Sequence, residues 1–474
     1  MSSVIEPSAV VEPTSPPLTS RPQRAVAGPA ERRAALLVAC AATLLVLMVY
    51  SAPVTTLPQT AAGLGAGPSG QIWILNGIAL GLAALLLTAG TLADDLGRKR
   101  VFVIGAALLA AALVVSATAT GTLVFVLARV VQGGAGAALL TAGLGMIGHT
   151  HPAGHERVRA TAAWGAMIGA GLTLGPPLSA ILTDRAGWRV VYWVLAAAAV
   201  AAGIAAVAFL SESRAETSRR IDLPGVATLG LGLAALLAAV TQGRTGWSDP
   251  RVLSLFAATA VLLGLFVAVE ATRRAPMLDL TLFRRPLFLT SIIGALVTGL
   301  SLIGPMTYLV TIMQLVDGFT PLEAAGVTAI WTGVSVVAAI AGGRLRLRGR
   351  LQLALALGLG AAGDLVLLGS VGHWSWPRAV AAMVVVGTGS GLGNAALARL
   401  SVDSVPAGRA GMGSGANNTA RYIGGSLGVA FAVAIVGAAD TAAAGADAML
   451  CVAAAIAVLG GLFALLMRGG TPPG

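Results

Sequence analysis

Fourteen runs of about 20 mostly apolar residues, the length at which an α-helix crosses a lipid bilayer, dominate this chain. Every backbone N–H and C=O in such a run must bond within the protein, because hydrocarbon offers no water. Only 10% of the 474 residues are charged, against about 25% in soluble domains. The sequence therefore predicts an all-α polytopic membrane protein. The predicted spans are 34–55, 71–93, 101–119, 122–147, 160–183, 189–210, 224–243, 252–270, 288–312, 323–342, 351–371, 378–400, 411–436 and 445–467.

The 30 basic residues divide unevenly between the loops that these spans define. With the N-terminus inside, 23 of the 30 face the cytoplasm, and Arg129 and Arg421 fall within spans. Cytoplasmic loops of membrane proteins carry an excess of Lys and Arg, so the division favours fourteen helices with both termini cytoplasmic. It also accounts for the net charge of +11 without nucleic acid as a partner. We expect a multi-pass protein of the cytoplasmic membrane, with the bilayer and a small-molecule substrate as partners.

Two similar loops suggest an internal repeat. "GTLADDLGRK" (90–99) leaves the second span, and the shorter "GRLRLRGR" (343–350) leaves the tenth. Such repeats are common in secondary transporters, so we predict two six-helix bundles with two helices inserted between them. The predicted organisation is a disordered basic tail (1–33), an N-terminal bundle (34–210), a cytoplasmic loop (211–223), two inserted helices (224–271), a second cytoplasmic loop (272–287), a C-terminal bundle (288–467) and a short tail (468–474).

The loop after the second span also carries a motif. Gly90, Leu92, Ala93, Asp94, Gly97, Arg98 and Lys99 resemble the loop 2–3 signature of the major facilitator superfamily. The resemblance implies that Gly90, Asp94, Gly97, Arg98 and Lys99 latch one side of the protein and help it to switch conformation. Asp95 stands where that family commonly has a basic residue. The simpler alternative is that the bases only anchor the loop on the inside.

Arg129, in "LARVVQGGAGAAL" (127–139), lies within the fourth span. A charge in hydrocarbon is costly, so its side chain is expected to face the protein interior or a cavity. The segment resembles the helix-four arginine motif of the same superfamily, which implies a part in proton transfer. The alternative is an arginine buried to bind backbone carbonyls.

Small residues and proline mark the fifth span, "GAMIGAGLTLGPPLSA" (165–180). Gly171 and Gly175 form a small-xxx-small pair, and Pro176 bends the helix. The stretch resembles the helix-five signature of antiporters in the superfamily, which implies that Gly171, Gly175 and Pro176 serve conformational switching. Ordinary close helix packing is the alternative.

Three more stretches resemble the fourteen-helix drug–proton antiporter branch: "WRVVYWV" (188–194), "IDLPG" (221–225) and "NNTARYIGGSLGVA" (417–430). That branch typically has an Asp near the middle of helix one, where this chain has Val49. The proton site must therefore lie elsewhere, or the coupling is altered. The candidates for proton coupling are Arg129, Asp364 and Arg421. Asp364 is a functional candidate because it is an acid within a predicted span, or it pairs with a neighbouring polar group.

The resemblance implies alternating-access efflux of small amphipathic or cationic drugs and antibiotics by a monomer, with a proton gradient as energy source and no cofactor. The alternative is an exporter of a narrow endogenous metabolite or self-made antibiotic with altered or no proton coupling. We expect no enzyme, since neither a nucleophile–base set nor a nucleotide loop is visible. By fold analogy, polar residues of the central helices line a substrate cavity, or else form interhelical hydrogen bonds. They are Tyr50, Thr55, Gln132, Tyr308, Thr311, Gln314 and Asn394.

Three histidines, His149, His151 and His155, follow the fourth span in "HTHPAGH" (149–155). Their spacing matches no tetrahedral metal site, so we expect a polar loop and no metal, with a metal or pH role as the alternative.

Overall fold

The computed structural model describes residues 28–152, 155–213, 222–242, 246–273, 276, 278–345, 347–405 and 410–467. Most of its helices begin with a proline in the first turn, where the missing N–H costs no helical hydrogen bond. The helices are α1 (Pro29–Ser51), α2 (Leu57–Leu64), α3 (Pro68–Leu96), α4 (Arg98–Thr118), α5 (Thr122–Thr150), α6 (His155–Ala186), α7 (Trp188–Phe209), α8 (Leu223–Gln242), α9 (Pro250–Thr272), α10 (Pro286–Thr298), α11 (Gly304–Val316), α12 (Pro321–Arg344), α13 (Gly349–Val366), α14 (Trp376–Asp403), α15 (Ala410–Ala438) and α16 (Ala442–Leu466).

The predicted all-α polytopic fold is confirmed for the described residues. Thirteen segments are long and apolar enough to cross a membrane, with α10 and α11 counted as one. The remaining predicted span, 351–371, lies on α13, a helix of 18 residues that carries Arg350, Gln352 and Asp364. We call the side with residues 28–33, 97–100 and 347–350 the basic side, and the side with residues 52–67 and 317–320 the opposite side.

Three predicted boundaries differ from the structure. Residues 29–33, expected in the disordered tail, are helical, because Pro29 and Glu31 in the first turn favour a helix start that hydropathy alone does not register. The first span ends in a short 3₁₀ turn at Ala52–Val54 around Pro53, and α2 follows. The run 351–371 is helical only to Val366. Residues 1–27 and the tail at 468–474 lie outside the described residues.

The helices form two bundles with a shared seam. α1 and α3–α7 pack together, as do α10–α16. Across the seam, α3 packs against α15 and α6 packs against α12. The inserted helix α8 lies against both α3 and α15, and α9 packs mainly on α8. Both inserted helices therefore sit on one flank of the seam, outside the two bundles.

Close backbone contacts hold the first bundle together, at positions where only glycine fits. A Cβ on Gly133 would lie 2.8 Å from Leu82 N and would overlap Ile78 O. A Cβ on Gly81 would lie 2.9 Å from the backbone N of Gly134. α3 and α5 therefore cross backbone to backbone, as small residues permit in membranes.

A π-helical segment, Gly299–Ile303, joins α10 to α11. Pro305 has no N–H to donate to the carbonyl of Ser301, which loosens the ladder at this point. The segment lies against α15, where a Cβ on Gly299 would lie 2.8 Å from the carbonyl carbon of Gly424. This crossing fixes the middle of α15, the helix that carries Arg421.

Candidate functional site between the two bundles

Arg129 is fully buried and bonds directly to two other helices, α1 and α3, and to Gln132 on its own helix, α5. Its Nη1 donates to Val49 O on α1 at 2.7 Å, and its Nη2 donates to Tyr50 O at 3.2 Å. Its Nε donates to Ile74 O on α3 at 3.2 Å. A fourth bond runs from Nη1 to Gln132 Oε1 at 3.0 Å, and Gln132 in turn reaches α4. Arg129 therefore binds backbone carbonyls, the alternative that the sequence had left open; a part in proton transfer stays a prediction.

The chain near Pro53 explains why Arg129 finds free carbonyls on α1. In a regular helix the N–H of residue 53 would donate to Val49 O, but proline has none. Arg129 supplies that missing donor to Val49 O. Position 49, where the related branch typically has an aspartate, therefore faces the arginine through its backbone rather than through an acidic side chain.

Gln132 is also fully buried, so it does not line a cavity in this conformation. Its Nε2 donates to Ser116 Oγ at 2.8 Å and to Ala112 O at 3.2 Å, both on α4. Together with Arg129 it ties α1, α3, α4 and α5 into one polar network inside an apolar bundle. Its predicted contact with substrate stays a prediction.

The glycines predicted on the fifth span, now on α6, lie directly against α1. A Cβ on Gly171 would lie 2.6 Å from Leu44 O, and one on Gly175 would lie 3.0 Å from Met48 O and would overlap Ser51 Oγ. Ser51 Oγ donates to Leu47 O on its own helix at 2.9 Å. Glycine at these two positions thus allows α1 and α6 to approach closely. The predicted part of Gly171 and Gly175 in switching stays a prediction.

Next to these glycines, Thr55 is buried in a hydroxyl cluster with α6. Its Oγ1 donates to Pro176 O at 3.2 Å and lies 3.2 Å from Ser179 Oγ. Ser179 Oγ is 2.7 Å from Ala52 O, the carbonyl beside the 3₁₀ turn. Pro176, predicted to bend the helix, lies inside a helix that continues to Ala186. Thr55, which follows the 3₁₀ turn, thus holds the chain after α1 against α6 in this conformation.

On the basic side, the hairpin between α3 and α4 is closed by Glu212, which follows α7. Gly97 turns the chain at φ 110°, a value that favours glycine. The Glu212 carboxylate accepts hydrogen bonds from the backbone N of Lys99 at 3.1 Å and of Arg100 at 3.3 Å. It therefore caps the positive N-terminus of α4, where a carboxylate is favoured.

The side chains of the same motif reach two further helices. Lys99 Nζ donates to Val207 O near the end of α7 at 2.9 Å. Arg98 N donates to Ser213 O at 2.9 Å, and a Cβ on Gly145 of α5 would lie 2.8 Å from Arg98 Nε. Gly90 lies in α3 with open space around its Cα, and the side chain of Asp94 lies outside the described residues. The motif thus joins α4, α5 and α7 within one bundle.

Arg421 lies near the middle of α15 and is partly exposed. Its Nη1 donates to Asn394 Oδ1 of α14 at 3.1 Å, and its Nη2 donates to Asn418 Oδ1 at 2.7 Å. The guanidinium also lies 5.8 Å from the ring centroid of Tyr422. The Tyr422 ring in turn lies 5.8 Å from that of Tyr50, which belongs to the other bundle.

Comparisons with known proteins match this architecture. The family model described as Major Facilitator Superfamily matches residues 39–429. The chain belongs to the major facilitator superfamily. It is 33% identical to the probable actinorhodin transporter of Streptomyces coelicolor, over 90% of this chain and 75% of that one. It is 29% identical to the multidrug resistance protein Stp of Mycobacterium tuberculosis, over 79% of this chain and 70% of that one.

A solved structure shares the fold. The crystal structure of the human organic anion transporter MFSD10 aligns with a TM-score of 0.63 over 91% of this chain and 99% of that one, at 17% identity. The resemblance read from the motifs is confirmed at the level of the superfamily. This chain is therefore a multi-pass membrane transporter by family.

In this major facilitator protein, three of the seven predicted cavity residues are partly exposed: Tyr50, Gln314 and Asn394. Gln314 Nε2 donates to Thr55 O at 2.9 Å, so it joins the two bundles on the opposite side. Tyr308 and Thr311 of α11 are 8% and 1% exposed. Fewer of the predicted cavity side chains are thus accessible in this conformation than expected.

Asp364 occupies the last turn of α13 near the opposite side and is fully buried. Neither of its carboxyl oxygens has a hydrogen-bond partner among the described residues. The predicted pairing with a neighbouring polar group is therefore not present there, and the residue does not lie in mid-helix as the run 351–371 implied. Its part in proton coupling stays a prediction.

The histidines where α5 ends and α6 begins do not form a metal site among the described residues. His151 is 7% exposed, and its Nδ1 lies 3.0 Å from Thr150 Oγ1 and 3.2 Å from Ile147 O, so it packs on its own helix end. His149 lines a small cavity with Glu31 and Glu212. The side chain of His155 lies outside the described residues.

Sequence reasoning missed Glu212, Asn418 and Tyr422. Glu212 has a weak signal, since it is a lone acid at the end of an apolar run in "FLSESR" (209–214). Asn418 lies three residues before Arg421 in the stretch 417–430, so helical spacing alone could have placed it beside the arginine, whereas Tyr422 is the next residue and has no such signal.

Proposed function

We propose that this protein exports small amphipathic drug-like molecules or antibiotics, in exchange for entering protons. The observation that carries the proposal is the partly exposed cluster of Tyr50, Asn394, Arg421 and Tyr422, which lies where the two bundles meet. Ligand sites in transporters with repeated halves lie near the bilayer midplane at the interface between the halves. Relatives named as multidrug resistance and antibiotic transport proteins support export as the direction.

Access alternates as the bundles rock about this cluster. On the opposite side, the bond between Gln314 and Thr55 must break for the gap to open there. On the basic side, the Glu212 contacts keep the α3–α4 hairpin attached to α7 as the bundle moves. We assign the basic side to the cytoplasm, because cytoplasmic loops carry an excess of Lys and Arg, and both termini then lie inside.

Proton coupling is assigned to carboxyl and guanidinium groups within the helices. Asp364 is the candidate proton carrier, since it is buried near the opposite side, from which protons would enter, and has no partner among the described residues. Arg129 holds α1 at Val49 and Tyr50, so it links any movement of α1 to α3 and α5. Arg421 is the third candidate for proton coupling among the charged groups within the helices.

A second candidate is an exporter dedicated to one endogenous metabolite or self-made antibiotic. Two observations favour it: Val49 replaces the acid typical of the drug–proton branch, and a relative at 33% identity is named a probable actinorhodin transporter. In that case the substrate range is narrow and the coupling is altered or absent.

The test is accumulation of fluorescent drugs in bacteria that lack their own efflux pumps. Cells that express the protein are expected to accumulate less of at least one amphipathic dye, and a protonophore should remove the difference. Reduced accumulation that survives the protonophore would exclude proton coupling. Unchanged accumulation for a broad panel would favour the dedicated exporter.

A further inference from the structure

Arg421 differs from most other charged residues of this protein because it lies far from the ends of its helix. Among the described residues of the spanning helices, Arg129 and Arg421 are the two charged side chains farthest from the ends of their helices. Arg129 is fully buried and is held by three backbone carbonyls. Arg421 is partly exposed, so of these two charges it is the one that a bound molecule could reach.

The partners of Arg421 do not neutralise it. Both are amide oxygens, from Asn394 and Asn418, at 3.1 and 2.7 Å. Within the described part of the chain, no carboxylate forms an ion pair with it. A guanidinium has five N–H donors, and a planar acid matches them in pairs. The positive charge and donors therefore remain available to a bound anion.

The groups beside Arg421 suit a planar apolar body. The Tyr50 and Tyr422 rings lie 5.8 Å apart, tilted by 50°. Along α14, Ser390 lies one helical turn before Asn394 and accepts a hydrogen bond from Trp331 Nε1 at 3.0 Å. Trp331 thus bonds α14 one turn before Asn394, the residue that accepts a hydrogen bond from Arg421.

We infer that the substrate is an aromatic organic anion whose acidic group binds Arg421 while its rings pack on Tyr50, Tyr422 and Trp331. This inference rests on the proposed export function and narrows its substrate class. A cationic drug meets a like charge in a site that lacks a described acid, at a cost that a neutral or anionic molecule does not have. The structure thus favours organic acids over the cations that the sequence resemblance suggested.

The test uses one ring system with three charges: 2-naphthoic acid, 2-naphthamide and 2-naphthylmethylamine. Binding of each to the purified full chain in lipid nanodiscs is measured at neutral pH by equilibrium dialysis. We expect the acid to bind at least about tenfold more tightly than the amide or the amine, which is about 1.4 kcal/mol.

The decisive variant is Asn418→Asp, which has nearly the shape of the native residue. It places a carboxylate where the amide oxygen now lies 2.7 Å from Nη2 and so neutralises Arg421 with little change in packing. We expect this variant to lose the preference for the acid. Arg399→Gln is the matched control, since Arg399 binds the carbonyls of Leu345 and Leu347 on the basic side and should leave the preference unchanged.

The same three probes are then loaded into proteoliposomes and their transport is measured. This separates the proposed anion site from the proposed export function. Equal binding of the acid and the amine, or an acid preference that Asn418→Asp leaves intact, overturns the anion site, even if the probes are transported. An acid preference that depends on residue 418 supports the anion site. If none of the probes then moves, the site stands and export of such molecules does not.

Discussion

Replacement of Arg129 by methionine removes a charge but keeps most of the side-chain volume. The guanidinium makes four hydrogen bonds, three of them to backbone carbonyls of α1 and α3. Because the residue is fully buried, water cannot replace these bonds in the variant. We therefore expect Arg129→Met to loosen the contact of α1 with α3 and α5.

The magnitude follows from the number of bonds and from one orphaned carbonyl. Interhelical hydrogen bonds in membranes average about 0.6 kcal/mol, so the three bonds to α1 and α3 contribute about 2 kcal/mol. Val49 O has no helical donor because residue 53 is proline, and a buried acceptor left unsatisfied costs about 1–3 kcal/mol more. The expected loss in the free energy of unfolding is about 3–5 kcal/mol.

The assay compares thermal unfolding in detergent for wild type, Arg129→Met and Arg421→Met. Arg421 is the matched control, since it makes two bonds, both to amide side chains, and is partly exposed. Its replacement should cost only about 1 kcal/mol. Transport is expected to fall in both, but only Arg129→Met should unfold at a clearly lower temperature. Equal unfolding temperatures for the two variants would refute the structural role of Arg129.

Three further predictions concern separate parts of the molecule. Gly175→Ala should abolish transport and lower the unfolding temperature, because the new Cβ overlaps Ser51. Gly165→Ala is its control: with open space around that position, it should be neutral or stabilising in the same assays. Glu212→Gln should slow transport with little change in stability, since the carboxylate is partly exposed. Glu156→Gln, at another exposed ion pair, is its control and should leave the transport rate unchanged. Asp364→Asn should weaken the dependence of transport on ΔpH, and an unchanged dependence would make Asp364 a structural group.

Hydropathy predicted the spans well, because each span must bury about 20 residues in hydrocarbon and leaves a continuous signal. It was poorest where the chain bends. The break after Ser51 and the end of α13 at Val366 lie within or beside apolar residues, so hydropathy does not mark them. Pro53 is the sequence signal for the first break, and its consequence for Val49 O needed the position of Arg129.

The site was harder to predict than the fold, because polar residues in membrane helices either border a cavity or bond between helices. Thr55 and Gln132 bond between helices in this conformation, and Tyr50 and Asn394 are partly exposed. The two outcomes depend on helix rotation and on distant partners, which a single sequence does not encode locally. Glu212 was missed for the same reason, since its partners are more than a hundred residues away.

The central claim is that export by this protein is driven by proton entry. Inside-out membrane vesicles, energised to an acidic interior and monitored by quenching of a ΔpH-sensitive dye, test it directly. Addition of a transported compound should release protons from vesicles that contain the protein, and vesicles with Asp364→Asn should release fewer. Accumulation of a radiolabelled compound in the same vesicles without any proton release would contradict the claim.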